Sequence, residues 1–223
     1  MSGRVAYYGN IVKDGLVLDL DAAKKDSYPG TGTAWNDISG NGNNGTLTNG
    51  PTFNSGNGGS VVFDGTNDYI NLGTFQTLVN NFTLTLWCRI TAVAGANILG
   101  FYNPSSPFNG WGLGYAQNGP GLNFWDGSAW RAPNITVTDS TWRQITVVIS
   151  STYLLSFYIN GIFSTSIQGS TIPAFTGNKA IGARNDAAGP MTGNISQFLI
   201  YNRALTSTEI TQNYNALKGR FGL

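Results

Sequence analysis

The chain has 223 residues, a length at which an all-β sandwich or barrel is routinely one domain. Only 10% of the residues are charged and the net charge is +1, so the basic footprint of a nucleic-acid binder is missing. Histidine is absent, which excludes catalytic triads that depend on it, and no stretch approaches 18 apolar residues, so we expect no membrane insertion. The N-terminus lacks the apolar segment of an export signal.

Short strand candidates, separated by turn residues, follow one another along most of the chain. The predicted ranges are 16–20, 61–64, 82–90, 97–101, 111–115, 121–125, 143–150, 155–165, 179–183 and 194–202. Strict alternation in 82–90 predicts a half-buried strand, with Cys88 in the core and Trp87 on the other face. Asn160-Gly161 predicts a type I′ hairpin turn, because both of its central residues need positive φ.

One helix is predicted near the end of the chain. Thr206 and Glu209 have the spacing of a capping box, and Ile210, Tyr214 and Leu217 then form one apolar stripe. Many short strands and one short terminal helix predict an all-β fold, an antiparallel sandwich. We expect this domain to span residues 14–217, with an N-terminal arm at 1–13 and a C-terminal tail at 218–223.

The acidic residues do not form the pair of carboxylates that sugar hydrolysis usually needs. The capping role explains Glu209, the only glutamate of the chain. Asp19 and Asp21 alternate with leucines, and we interpret them as a strand pair that hydrogen-bonds a loop rather than as a catalytic pair. The sequence therefore predicts no catalytic residue and no enzyme.

Two Asx-rich segments are candidates for a calcium loop or for a plain turn. In DISGNG, Asp37 and Asn41 stand where a calcium loop has its first and third side-chain ligands, but the acid expected at position 12 is missing. In FDGTNDYI, residues 63–70, turn pairs surround Asp68, the better ligand candidate. Asp68, Asp37 and Asn41 are thus candidate ligands of a weak structural calcium ion, and we expect no other cofactor.

Two loops offer the aromatic and polar groups with which proteins bind sugars. Aromatic platforms with a few hydrogen-bonding side chains are typical of such sites. The candidate residues are Trp125, Asp126, Trp130 and Arg131 in the first loop, and Asn185 and Asp186, beside Arg184, in the second. The alternative is that many of these aromatic residues belong to the core.

Several motifs occur in a characteristic order, among them GLVLDLDAA, WNDISGNGNNGTL, VVFDGTNDYINLG, FTLTLWCRI and GNISQFLIYNRALTSTEI. Over roughly residues 14–216 the ordered set resembles the laminin-G-like branch of the concanavalin A-like lectin/glucanase superfamily. The resemblance implies a jelly-roll sandwich of two antiparallel sheets. It also implies a calcium-holding acid just before YNRAL, but Ser196 and Gln197 stand there, which weakens any inherited metal site.

The run from SYPGTGTAWNDISGNGNNGTLTNG through FDGTNDYI is similar to versions found in structural proteins of marine tailed phages. This likeness implies a non-catalytic virion surface protein, either a capsid decoration or a tail-appendage component, made in the host cytoplasm. Its partners would be other virion proteins or copies of itself, with host glycans as further ligands. The alternative is a carbohydrate-binding module associated with a cellular glycan-degrading system.

Both ends of the chain carry aromatic or apolar residues that a self-contained sandwich does not need. Exposed aromatic residues beside arginine are enriched in interfaces. We therefore regard Tyr7, Tyr8, Ile11 and Phe221 as candidates for assembly. The alternative is that the N-terminal arm packs on its own sandwich.

Overall fold

The computed structural model describes residues 10–91, 95–137, 140–184 and 186–223. These residues form sixteen strands, one α-helix and two short 3₁₀ helices. The strands are β1 (Leu16–Asp21), β2 (Ala34–Trp35), β3 (Gly45–Thr48), β4 (Thr52–Asn54), β5 (Ser60–Asp64), β6 (Tyr69–Asn71), β7 (Phe82–Thr91), β8 (Ala96–Asn103), β9 (Asn109–Tyr115), β10 (Leu122–Trp125), β11 (Trp130–Arg131), β12 (Arg143–Ile149), β13 (Leu154–Ile159), β14 (Ile162–Gln168), β15 (Ala180–Ile181) and β16 (Thr192–Tyr201). The helix α1 spans Ser207–Leu217, and the 3₁₀ helices span Gly56–Gly58 and Lys218–Phe221.

The strands form two antiparallel sheets of eight strands each. The front sheet has the order β11-β10-β9-β8-β15-β6-β3-β2. The back sheet has the order β14-β13-β12-β7-β16-β5-β4, with β1 also paired to β16. The all-β, antiparallel jelly-roll sandwich with one short C-terminal helix, predicted from the sequence, is thereby confirmed. No helix in the described part of the chain is long and apolar enough to cross a membrane.

The predicted hairpin turn and the predicted helix cap are both present. Asn160 and Gly161 both have positive φ, 53° and 77°, and join β13 to β14 as a tight hairpin. At α1, the Thr206 side chain accepts from the Glu209 N–H, and the Glu209 side chain accepts from the Thr206 N–H. Both features depend on neighbouring residues alone, which is why the sequence predicts them.

The main hydrophobic core lies between the two sheets. Phe101 of β8 meets Phe198 of β16 edge to face, with ring centroids 6.3 Å apart. The ring of Trp111 in β9 lies 5.0 Å from that of Phe82 in β7. Each contact joins the front sheet to the back sheet, so apolar burial holds the sandwich closed.

A second hydrophobic layer covers the outer face of the back sheet. Trp87 is fully buried there, and its ring stacks on Phe221 at 4.2 Å and on Tyr214 at 5.7 Å between centroids. Thr83 and Thr85 on the same face are also buried. These residues belong to β7. The prediction that β7 is half-buried is wrong, because α1 and the terminal 3₁₀ helix cover the face that carries its polar residues.

The described residues at the chain ends belong to this second layer. Ile11 and Phe221 are each only 8% exposed, so the expectation that they are free to attach to a partner is wrong. The N–H of Val12 donates to Asn213 Oδ1 at 2.8 Å, and Tyr201 Oη donates to the Val12 carbonyl at 3.1 Å. The other two assembly candidates, Tyr7 and Tyr8, lie outside the described residues.

A buried ion pair fixes the terminal 3₁₀ helix, so residues 218–223 are part of the packed domain rather than the expected tail. Arg220 Nη1 lies 2.9 Å from Asp21 Oδ1 and 3.1 Å from Oδ2, and neither side chain is more than 4% exposed. The same guanidinium donates through Nη2 to Ser196 Oγ and through Nε to the Asn57 carbonyl at 3.3 Å. All three of its nitrogens are therefore bonded to protein oxygens.

Replacing Arg220 with alanine should destabilise the domain strongly, because the Asp21 carboxylate would stay buried without its cation. Removing one partner of a buried ion pair typically costs about 3–5 kcal/mol. We expect a loss of that size in the free energy of unfolding measured by urea titration. Arg220→Lys keeps the charge and should recover part of it. A loss below about 1 kcal/mol for Arg220→Ala would contradict this role.

A second stability prediction concerns the pH dependence at α1. Arg203 donates to both oxygens of Glu209, at 3.0 and 2.6 Å, and these bonds, with those from Thr206, lower the pKa of Glu209 from 4.5 to about 2. Because the folded-state pKa is lowered, the contribution is complete above pH 4.5 and is lost as the pH falls toward 2.

We expect the difference in melting temperature between the wild type and Glu209→Gln to close over this interval. The measurement is a series of thermal melts of both proteins from pH 6 down to about pH 2, the range set by the two pKa values. A difference that stays constant through the series would show that Glu209 does not titrate between these limits.

Candidate functional site

Glycines occupy outward-facing positions of β9. In NGWGLGY, the large side chains face the core, which leaves Gly112 and Gly114 on the outside. A Cβ at Gly112 would lie 2.8 Å from the ring of Tyr102, and one at Gly114 would lie 2.7 Å from the Gln117 side chain. Tyr102 and Gln117 therefore rest directly on the β9 backbone, in space that only glycine leaves free.

A cavity of about 330 Å³ opens at this face of the front sheet. Its lining comes from strands β8, β10 and β11 and from the loops around them. Its larger side chains include Tyr102, Phe108, Gln117, Trp125, Trp130 and Arg184. We call this site the aromatic cavity.

Four aromatic rings form one contiguous group in the cavity. The centroids of Trp125 and Trp130 are 5.7 Å apart, and Tyr102 lies 5.8 Å from each of them. Phe108 meets Trp125 edge to face at 5.9 Å and is 49% exposed. Trp125 and Trp130 are themselves only half-buried. The cavity thus presents apolar ring surface to solvent.

Asp126, one of the predicted sugar ligands, shapes the turn between the two tryptophans instead. It is fully buried, and its carboxylate accepts from the N–H groups of Ser128, Ala129 and Ser170 and from Arg131 Nε at 2.6 Å. Burial works to raise the pKa of Asp126, but these hydrogen bonds outweigh it and the pKa is lowered. The direct sugar-binding role predicted for Asp126 is corrected to a structural one, and Arg131 is its ion-pair partner.

The second predicted loop does reach the cavity. Arg184 lines it, together with Trp125 and Trp130, so the structure brings two loops together that lie some fifty residues apart in sequence. Asp186 is exposed and pairs with Arg184. Asn185, the remaining candidate, lies outside the described residues.

Sequence reasoning missed Asn97, Tyr102, Phe108 and Gln117. Tyr102 Oη donates to Asn97 Oδ1 at 2.9 Å, and Asn97 Nδ2 donates to the carbonyl of Gly189 at 3.3 Å. Burial raises the pKa of Tyr102, so its hydroxyl stays protonated. The signal that could have found this face is the alternation of glycine with large apolar residues in β9, which marks a strand whose outer side is kept clear.

A laminin G family profile, described as the concanavalin A-like lectin/glucanases superfamily, matches residues 64–211. The chain belongs to the concanavalin A-like lectin/glucanases superfamily. No curated protein matches it.

Solved structures with a similar fold include domains of larger proteins. Domain 4 of AbnA, an extracellular arabinanase from Geobacillus stearothermophilus in complex with arabinotriose, is 20% identical, with a TM-score of 0.67, over 89% of this chain and 98% of that domain. The binding domain of Paraclostridial Mosquitocidal Protein 1 is 20% identical, with a TM-score of 0.66, over 92% of this chain and 52% of that one. The Trypanosoma rangeli sialidase is 18% identical, with a TM-score of 0.64, over 92% of this chain.

The chain therefore spans about half of the mosquitocidal binding domain, at 52%, and a third of the sialidase, at 33%. At these identities the likeness shows the fold of the superfamily and nothing of its ligands. What this member does has to be argued from its own side chains.

The predicted calcium loop of this chain is an Asx turn. Asp37 Oδ1 accepts from the N–H groups of Asp19 and Ser39, both at 2.9 Å. Its Oδ2 accepts from Ser39 Oγ at 2.8 Å and from the Asn43 N–H at 2.9 Å. Asn41, the other candidate here, donates its amide to Ser39 Oγ at 3.0 Å. Protein donors thus surround the carboxylate that a cation would need.

The segment FDGTNDYI is a turn that carries the chain from β5 of the back sheet to β6 of the front sheet. Asp64 Oδ1 accepts from the Thr66 N–H at 2.7 Å, and Gly65 takes a φ of 81°. Asp68 is 3% exposed, its Oδ2 accepts from the Asp64 N–H at 3.0 Å, and burial raises its pKa. Within the described ranges, no cluster of three or more His, Cys, Asp or Glu could hold a metal ion.

Ser196 stands where the resemblance implied a calcium-holding acid, and the Arg220 guanidinium lies beside it. Ser196 Oγ and both oxygens of Asp21 bond to that guanidinium. These oxygens already bind the positive charge of Arg220, so the residues present do not fit a calcium ion there.

We expect removal of divalent cations to leave the melting temperature nearly unchanged, because the carboxylates of Asp37 and Asp68 already accept backbone N–H groups. The shift on adding a chelator should stay within the roughly 2–4 °C that corresponds to about 1 kcal/mol at this chain length. The control is the same melt with calcium in excess over chelator. A calcium-reversible drop of about 10 °C or more would contradict the assignment of both segments as plain turns.

Proposed function

We propose that the chain is a non-catalytic glycan-binding domain and that it binds sugars in the aromatic cavity. The observation that carries this proposal is the solvent-facing group of Phe108, Trp125 and Trp130 beside the polar groups of Arg184 and Tyr102. Sugar rings have apolar C–H faces and polar edges, and this site offers a matching surface for each.

The cavity fits a sugar in its surface chemistry and in its size. The tryptophan rings provide flat apolar surface for the C–H face of a sugar, and Arg184 provides charged N–H donors for its hydroxyl groups. The cavity of about 330 Å³ is at the small end of ligand pockets, which suits a terminal sugar unit rather than a long polymer. The Trp125 indole Nε1 is buried without a hydrogen-bond partner among the described residues, so a donor remains unused beside the cavity.

The carboxylates support a binding role rather than a catalytic one. Asp19 and Asp21 are fully buried in the back sheet, and Arg220 neutralises Asp21. Asp126 is buried within its own turn. Sugar hydrolysis usually needs two carboxyl groups that face one substrate, and these side chains do not converge on the aromatic cavity. Binding domains and domains of enzymes both occur among the structural neighbours, so the neighbours are compatible with this proposal without deciding it.

The setting in which the domain works is a further proposal: a virion surface, as a capsid decoration or tail-appendage component, after synthesis in a host cytoplasm. It is supported by the similarity of residues 27–70 to segments of phage structural proteins. The partners would be other virion proteins or copies of this chain, and the aromatic cavity would contact host glycans. The alternative, a carbohydrate-binding module of a cellular glycan-degrading system, uses the same cavity.

Replacing Trp125 with alanine should weaken glycan binding about tenfold or more, because a stacking surface in the cavity is lost. The measurement is a glycan array with the purified domain, followed by calorimetric titration of the best ligand. The matched control is Phe163→Ala, which removes an aromatic side chain that is 55% exposed on the β13–β14 hairpin. An array without any bound glycan would contradict the proposal, as would equal affinities of wild type and Trp125→Ala.

A further inference from the structure

Arg184 is the only charged residue among the described residues that line the aromatic cavity. An arginine at a sugar site raises the question of ligand charge, because the planar guanidinium binds a carboxylate through two parallel hydrogen bonds. Sialic and uronic acids carry such a carboxylate, and neutral sugars do not. What the guanidinium already binds therefore determines which class of sugar fits.

In the structure, the carboxylate of Asp186 already binds the Arg184 guanidinium. Arg184 Nε donates to Asp186 Oδ1 and Arg184 Nη2 donates to Asp186 Oδ2, both at 2.7 Å. The two parallel bonds use one carboxylate-binding edge of the guanidinium, and Arg184 also hydrogen-bonds the Tyr102 side chain. An acidic ligand would have to displace Asp186 or approach its negative charge.

The loop between β15 and β16 holds the pair in place. The Arg184 N–H donates to the carbonyl of Ala188 at 3.0 Å, and the Ala187 N–H donates to the carbonyl of Arg184 at 2.9 Å. Asp186 Oδ1 also accepts from the Ala188 N–H at 3.2 Å. The carboxylate is thus set beside Arg184 by the backbone of the tight loop, and not only by the attraction between the two charges.

The charges of the pair cancel at neutral pH. The hydrogen bonds from Arg184 lower the pKa of Asp186, and those to Asp186 raise the pKa of Arg184, so both groups stay ionised. Asn185, which lies between them in sequence, carries no charge. The other side chains that line the cavity are aromatic, amide or apolar, so the described lining is neutral overall.

We infer that the aromatic cavity selects uncharged sugars over sialic and uronic acids, because Asp186 occupies the carboxylate-binding fork of Arg184. This inference rests on the proposed glycan binding and adds its ligand class. The remaining groups of the site suit hydroxyls and C–H faces, which neutral sugars offer without a charge to compensate.

The test compares neutral sugars with acidic counterparts. Glucose with glucuronic acid, which differ only at C6, and lactose with 3′-sialyllactose are titrated against the wild type and Asp186→Asn. We expect the wild type to bind the neutral member of each pair about tenfold more tightly or better. Asp186→Asn frees the guanidinium and should raise affinity for the acidic member about tenfold, with a smaller effect on the neutral one.

Two controls make the result specific. Asp26→Asn is the matched change at an exposed aspartate outside the cavity lining and should leave both affinities unchanged. Adding Arg184→Gln to Asp186→Asn should remove the gained affinity for acidic sugars, because the gain requires the freed guanidinium. Thermal melts of all variants establish that they are folded before titration.

The outcomes separate the inference from the proposal on which it rests. If the wild type binds the acidic sugars as tightly as the neutral ones, the selectivity is wrong while glycan binding stands. If Asp186→Asn leaves the ratio of the two affinities unchanged, Asp186 does not set it. If neither class binds, the glycan-binding proposal fails and the selectivity fails with it.

Discussion

The ion pair between Asp21 and Arg220 is the constraint on which the back of the molecule depends. It joins β1, near the start of the domain, to the last turn of the chain, and it places Phe221 on the ring of Trp87. With that contact made, α1 and the terminal 3₁₀ helix cover Trp87, Thr83 and Thr85 on the outer face of the back sheet. The aromatic cavity opens on the outer face of the front sheet instead.

On the front sheet, glycines leave part of the outer face open. Glycines on the outer side of β9 allow Tyr102 and Gln117 to lie flat against the backbone, and the aromatic cavity is built on this platform. The polar groups around it have separate roles. Asp126 is saturated with hydrogen bonds and fixes a turn, whereas Arg184 and Asp186 form a half-exposed pair at the cavity itself. Burial therefore separates the groups that position the site from those able to meet a ligand.

Much of the fold and part of the site could be predicted, because the signals are local. The alternation in β7, the Asn160-Gly161 turn and the Thr206 cap each depend on residues within a few positions of one another. Trp125 and Trp130 were found for the same reason, as aromatic residues on either side of a glycine-containing turn. Asp126 stands between them in the same loop, yet its role was predicted wrongly, because its complete burial is decided by packing and one of its partners, Ser170, lies 44 positions away.

The sequence by itself determined the sandwich, eleven of the sixteen described strands, the terminal helix and the tryptophans of the candidate site, because periodicity and turn chemistry are properties of short segments. It missed β2, β3, β4, β6 and β11, which are short. Only the tertiary structure decided that Phe221 is buried, that Arg220 bonds to Asp21 and Ser196, and that Arg184 lines one cavity with the tryptophans. These outcomes depend on contacts between residues far apart in the chain. An aspartate or an arginine has the same letter whether it is exposed, paired or buried, and packing alone assigns its partner.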